Sequence, residues 1–269
     1  MQTYTLNDTS PDIGKLQRYL NEHFSLDIKV DGHLGKLAQS ALQRYQDKFR
    51  ITERNEEGAM YGPLTQYHAG LVINVKYLNE EDYIRAADKA KLDIKVIKAV
   101  TQVEALGFGF YNNGLPVTLF ERHIFYRQLV NLKGQMYADI VALNNPDICN
   151  KSPGGYLGGK LELERLEVAK NTNETAALNS ASYGLFQIMG FNHIQAGYKT
   201  VKEYYDAMRV SEDKQLDAFI NYILNDKDKS LWKSLASKDF TAFAKEYNGP
   251  AYAKNRYDIK MKEAYSKLG

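Results

Sequence analysis

Apolar side chains recur every three to four residues through most of this 269-residue chain, and that spacing commits it to helices. Ile13, Leu16 and Leu20 follow Ser10-Pro11-Asp12, with Ser10 placed to cap and Pro11 suited to the first helical position. Leu34, Leu37, Ala41, Tyr45 and Phe49 keep the period, and Leu64, Tyr67, Leu71 and Val72 begin a third helix after Gly62-Pro63. The stretch from Asn55 to Gly58 between them reads as a polar loop. Three such helices can close a small core. The pattern then restarts where Glu80-Glu81-Asp82 supplies an acidic first turn, so a boundary is expected near residue 75, with domains at 1–75 and 76–269. In the second part helices are expected over about 81–91, 93–105 and 161–170. Leu216, Phe219, Ile220, Ile223 and Leu224 mark the face of another, and Phe240, Phe243 and Tyr247 of one more. Only Val117 to Glu121, introduced by Pro116, has β character, so the chain is predicted to be mainly α, with an α+β second part.

Several function classes are disfavoured by simple counts. The 35 basic side chains nearly cancel the 33 acidic ones, leaving a net charge of +2 that cannot hold a nucleic acid by field alone. No apolar run approaches the roughly 18 residues of a membrane span, so no membrane insertion is expected. The opening Met1 to Thr5 lacks the basic and apolar regions of a signal peptide, which predicts synthesis in the cytoplasm without export by that route. Cys149 is the single cysteine, and the five histidines show no zinc-binding spacing, so neither metal nor cofactor is expected. Gly154 to Lys160 satisfies a phosphate-loop spacing, but Leu161 stands where a hydroxyl should hold magnesium, and the segment reads as a flexible loop. No G-x-S-x-G elbow is present.

Two carboxylates stand out. Glu104 shares a helical face with Ile97 and Val100, near the helix C-terminus, where burial and the helix dipole both favour its protonated form. Such an acid is what a glycosidase needs to protonate a leaving oxygen, although a helix-end Glu that reaches back to solvent is an equal alternative. Glu121 follows Val117 and Leu119 at the period of two and is expected to face inward, as a second carboxylate of a pair or as a salt-bridge partner of Arg122, Arg127 or another base. Between Ala181 and Met189 an apolar run contains one amide, Gln187, which needs a hydrogen-bond partner that a bound sugar could supply. Tyr247-Asn248-Gly249 reads as a helix end. Tyrosine is abundant, 20 against 11 Phe and 1 Trp, and its flat apolar face with a hydroxyl suits sugar-lined clefts and amphipathic helices alike.

Taken together these segments resemble known families. Asp31-Gly32, Gly35, Ala41-Leu42 and Tyr45-Gln46 are similar to the signature of a three-helix peptidoglycan-binding domain, D-G-x-x-G followed by A, then L or V, two residues, F or Y, and Q, with Ala38 where that family usually has Thr. From about residue 79 onward the chain resembles the N-acetylmuramidase domain of modular phage endolysins, a branch of the lysozyme-like superfamily. The resemblance rests on Ile97 to Glu104, Leu119 to His123, Ser180 to His193, Gln215 to Phe219 and Tyr247 to Ala253. It implies a lysozyme-like fold and cleavage of bacterial peptidoglycan between N-acetylmuramic acid and N-acetylglucosamine. It also implies Glu104 as general acid, Glu121 as second catalytic carboxylate, and Tyr183, Gln187, Tyr247 and Asn248 along the glycan groove. Tyr252 falls in the same segments. A monomer that reaches the wall after release through a holin is the corresponding expectation. A lytic transglycosylase acting on the same bond and a non-catalytic wall-binding protein are the alternatives.

Overall fold

The computed structural model describes residues 3–24, 26–49, 51–62, 65–66, 69, 78–104, 109–111 and 114–268, with the backbone alone at 23, 49 and 251. The chain divides into two compact units, Met1–Lys76 and Tyr77–Gly269.

In the first unit, α1 (Pro11–Phe24) starts where the Ser10 hydroxyl accepts from the Asp12 amide, and Ile13, Leu16 and Leu20 are fully buried along its inner face. Helix α2 (Lys36–Phe49) departs from the expected phase. It begins after Leu34, so Ala38, Ala41, Leu42 and Tyr45 form the buried stripe and Leu37 is 78% exposed. The expected polar loop is a tight hairpin, β1 (Arg54–Asn55) with β2 (Gly58–Ala59), closed by the Glu57 amide donating to Asn55 Oδ1. Leu64, Tyr67, Leu71 and Val72, which suggested a third helix, lie outside the described residues.

The signature residues of this unit are its scaffold. Asp31 Oδ1 accepts from Gln17 and from the His33 amide, while Gln17 Oε1 accepts from the amides of Asp31 and Gly32. Gly32 has φ +72, and a side chain there would meet the Ser10 carbonyl at 2.9 Å, so only glycine fits the turn. The Gly35 carbonyl accepts the Gln39 amide in the first turn of α2. Tyr45 packs edge-on against Tyr19, and buried Gln46 donates to the Met60 carbonyl and to Thr65.

The second unit is mainly helical around a small sheet. Helix α3 (Glu80–Ala90) opens with a capping box between Asn79 and Asp82. Helix α4 (Ile94–Glu104) buries Val96, Ile97, Val100 and Val103, and packs against the last helix, α14 (Tyr257–Lys267). Strands β3 (Thr118–Phe120), β4 (Ala181–Tyr183) and β5 (Ile188–Met189) form an antiparallel sheet with Leu119, Ser182 and Met189 in register on one face. The opposite face carries Thr118, Phe120, Ala181, Tyr183 and Ile188, all buried. Helices α5 (Arg122–Lys133), α6 (Gln135–Asn144), α7 (Leu161–Thr172) and α8 (Glu174–Asn179) lie between β3 and β4 in sequence. Helices α9 (Val201–Met208), α10 (Glu212–Leu224), α11 (Ser230–Ala236), α12 (Phe240–Tyr247) and α13 (Tyr252–Asn255) follow the sheet. Leu216, Phe219, Ile220 and Ile223 on α10 are fully buried, and Phe219 stacks on Phe186 at 4.3 Å between ring centres.

Candidate active site

Glu104 is the last residue of α4, where the apolar face of the helix meets a cavity of about 360 Å³. Its walls come from four separated segments: Glu104, Phe186 to Met189 with Asn192, Tyr222 of α10, and Tyr247, Asn248 and Tyr257. The Asn248 amide, just past the end of α12, donates to Glu104 Oε1 at 2.9 Å, and the Tyr247 hydroxyl donates to the Phe186 carbonyl at 2.9 Å. The C-terminal segment therefore ties the acid to the β4–β5 turn. That turn is held from beneath by Gln215, which is 1% exposed, accepts from the Leu185 amide and donates to the carbonyls of Gly109 and Met208. Gly184, at φ +71, passes so close that a side chain there would lie 2.3 Å from the Gln215 carboxamide carbon.

Burial dominates the electrostatics. It raises the Glu104 pKa from 4.5 to about 7, against the opposing hydrogen bond from Asn248. Burial, with the Glu104 charge next, also holds the Tyr247 phenol well above its ordinary value, and Tyr257 is raised for the same two reasons. Both phenols therefore stay protonated. The cavity is thus neutral apart from one acid that can carry a proton near pH 7, lined by amides, phenols and aromatic faces. Among the described residues its walls hold one carboxylate and neither His nor Cys, which is not a donor set for a metal. Among the described residues, no three His, Cys, Asp or Glu side chains come together elsewhere either.

Of the six residues predicted for the site, Glu104, Gln187, Tyr247 and Asn248 meet at this cavity. Tyr183 does not. It lies on the core face of β4, 1% exposed, between Tyr204 and Tyr205, and its hydroxyl donates to the Leu178 carbonyl. The alternation of the strand turns its neighbour Ser182 the other way, and the Ser182 hydroxyl donates to Gln187 Oε1. The Gln187 amide has its partners within the chain: it donates to the carbonyls of Val117 and Gly184, and the residue itself is exposed, at φ +47. Glu121 lies at the far end of β3, outside the walls of this cavity. The core side of the strand is that of Thr118 and Phe120, and Glu121, one residue past its end, has a side chain that is 16% exposed. Neither Arg122 nor Arg127 pairs with it. Its carboxylate accepts from the Tyr156 hydroxyl, and His123 Nδ1 stands 3.1 Å away. Tyr222, Tyr257, Asn192 and Tyr156 escaped the sequence reading. Tyr156, framed by two Gly-Gly pairs, carried a signal that the failed phosphate-loop comparison obscured.

The N-acetylmuramidase family, described as muramidase, matches residues 93–269. Among solved structures the chain is similar to the crystal structure of Burkholderia AP3 phage endolysin, with 36% identity, a TM-score of 0.68, and coverage of 99% of this chain and 98% of that one. No curated protein matches it.

Proposed function

The chain belongs to the N-acetylmuramidase family, and from that premise we propose that it hydrolyses the β-1,4 bond between N-acetylmuramic acid and N-acetylglucosamine in bacterial peptidoglycan, as a phage endolysin that lyses its host. As a family member it is a glycoside hydrolase of the lysozyme kind. The observation that carries the finer reading is Glu104, an acid pushed up to about 7 by burial at the wall of a cleft lined with amides and phenols. In this reading Glu104 protonates the bridging oxygen, and Glu121 stabilises the oxocarbenium-like transition state or activates water from the other face of the ring. Gln187, Tyr247 and Asn248 bind the glycan. Residues 1–76 hold the enzyme on its insoluble substrate and raise its effective concentration there. No described helix is long and apolar enough to cross a membrane, and passage to the wall through a holin completes the proposal.

Products test the chemistry. Mass spectrometry of fragments released from purified sacculi should find reducing N-acetylmuramic acid ends. Fragments ending in 1,6-anhydro sugars would instead make the enzyme a lytic transglycosylase. The pH profile tests the acid. Glu104 must be protonated to donate, so the rate should hold below about pH 7 and then fall roughly tenfold per unit as the proton is lost. Initial rates of sacculus clearing between pH 5 and 9 would show this limb, and a flat profile would remove Glu104 from the role.

A further inference from the structure

The glycine-rich segment between α6 and α7 is anchored at both ends, and Tyr156 stands between the anchors. On one side the Arg122 guanidinium donates to the carbonyls of Pro146, Ser152 and Pro153, at 3.4, 3.2 and 3.2 Å. Gly155, at φ +73, passes so close to that group that a side chain there would lie 2.7 Å from Arg122 Nη1. On the other side Glu162, 1% exposed, accepts the amides of Leu157 and Gly158 on Oε1, at 2.6 and 3.0 Å. Its Oε2 accepts from Arg165 at 2.7 Å and from the Phe120 amide at 3.3 Å. Arg165, 4% exposed, donates in turn to the carbonyls of Phe120 and Asp147. Burial works to raise the Glu162 carboxyl, but the Gly158 and Leu157 amides and the Arg165 charge together hold it below its ordinary value. The buried pair thus grips both the loop that carries Tyr156 and the strand residue that precedes Glu121.

A buried ion pair is a poor source of stability compared with apolar side chains of the same volume, so its value here lies in what its hydrogen bonds hold in place. They hold the Tyr156 hydroxyl 2.9 Å from each oxygen of the Glu121 carboxylate. Tyr156 is 49% exposed, which makes core packing a weak reason for so much anchoring. Burial, and then the hydrogen bond to Glu121, raise its phenol pKa, so the phenol remains a donor. We propose that Tyr156 is a positioning residue for Glu121, fixing the orientation of that carboxylate, and that Arg122 and the Glu162–Arg165 pair form the frame that places it. The proposal rests on the reading of Glu121 as the second catalytic carboxylate.

The test uses the full chain acting on soluble glycan strands freed of stem peptides. Tyr156→Phe should lower kcat about tenfold, leave KM within about twofold and leave the protein folded at the assay temperature, since the ring stays and only the hydroxyl is lost. Glu162→Gln should lower kcat in the parent and lower it by a smaller factor in the Tyr156→Phe background, because its hold on the Leu157 and Gly158 amides acts through the Tyr156 contact while its hold on the Phe120 amide does not; equal factors in the two backgrounds would overturn the frame. A kcat within twofold of the parent for Tyr156→Phe, beside a strongly impaired Glu121→Gln, would overturn the positioning role and leave Glu121 standing. A raised KM with unchanged kcat would make Tyr156 a glycan contact and likewise overturn it. Full activity in Glu121→Gln would remove the underlying reading itself.

Discussion

Glu104→Gln is expected to lower the rate of sacculus hydrolysis by about 10³-fold, inside the 10² to 10⁴ range that a positioned general acid supplies, and to stabilise the protein above pH 7. The shape is preserved, and the Gln oxygen can still accept the Asn248 amide that now donates to Glu104 Oε1. What is lost is the proton. The stability change follows from the raised pKa. Between 4.5 and about 7 the folded protein keeps a proton that the unfolded chain has released, so this group lowers stability as pH rises through that window, and the penalty is complete above it. Removing the charge should recover about 1 to 3 kcal/mol at pH 8 and nothing at pH 4. Thermal unfolding at the two pH values, with clearing assays beside it, separates the outcomes. Activity within tenfold of the parent would mean that another group donates the proton. An equal stability gain at pH 4 and pH 8 would mean that burial of charge is not what sets the Glu104 pKa.

The face on which Glu104 sits was legible in the sequence because its context is local, whereas whether the carboxyl stays there or reaches back to solvent was not. A carboxylate seven residues after Ile97 and four after Val100 shares their face, and the fold adds its burial, the cavity before it and the Asn248 amide. The inner face of α1 was legible for the same reason. Leu37 misled because α2 starts two residues after Leu34, and Ala38, apolar but small, sets the phase. Tyr183 misled for a different reason: from Ala181 to Met189 nearly every residue is apolar, so the alternation that separates a core face from a cleft face leaves no trace in composition. The remaining cavity walls were beyond local reading. Tyr222 and Tyr257 reach Glu104 only because α10 and α14 are folded against it from more than a hundred residues away. Glu162 and Arg165 stand three apart on the helix expected over 161–170, and nothing in their spacing reveals that both are buried against the end of β3.

The second large effect is expected at Gly190, where a single methyl group should destabilise the catalytic unit by about 3 kcal/mol or more. Gly190 opens the tight turn Gly190–Asn192 that follows β5, and a side chain there would lie 1.9 Å from the Leu178 carbonyl oxygen, 2.9 Å from its carbon and 3.0 Å from the Asn179 Cα. These are backbone atoms at the end of α8, Leu178 is 1% exposed, and its carbonyl already accepts the Tyr183 hydroxyl. Moving it would break that bond and disturb the tyrosine cluster behind the sheet. The obstruction is steric, since Gly190 is not in the left-handed region. Gly154 provides the contrast: at φ +92 with nothing within 4 Å of the added carbon, Gly154→Ala should lose only about 1 kcal/mol, from backbone conformation alone. Trp232, the single tryptophan, donates to the Ala90 carbonyl within the same unit, so its fluorescence during urea unfolding reports on this unit without interference from residues 1–76. Equal midpoints for the two variants would mean that β5 does not bear on α8 as described. A Gly190→Ala midpoint far below that of Gly154→Ala should come with reduced activity even where the variant is still folded. Met189 and Asn192, which flank the substituted position, are walls of the cleft that holds Glu104.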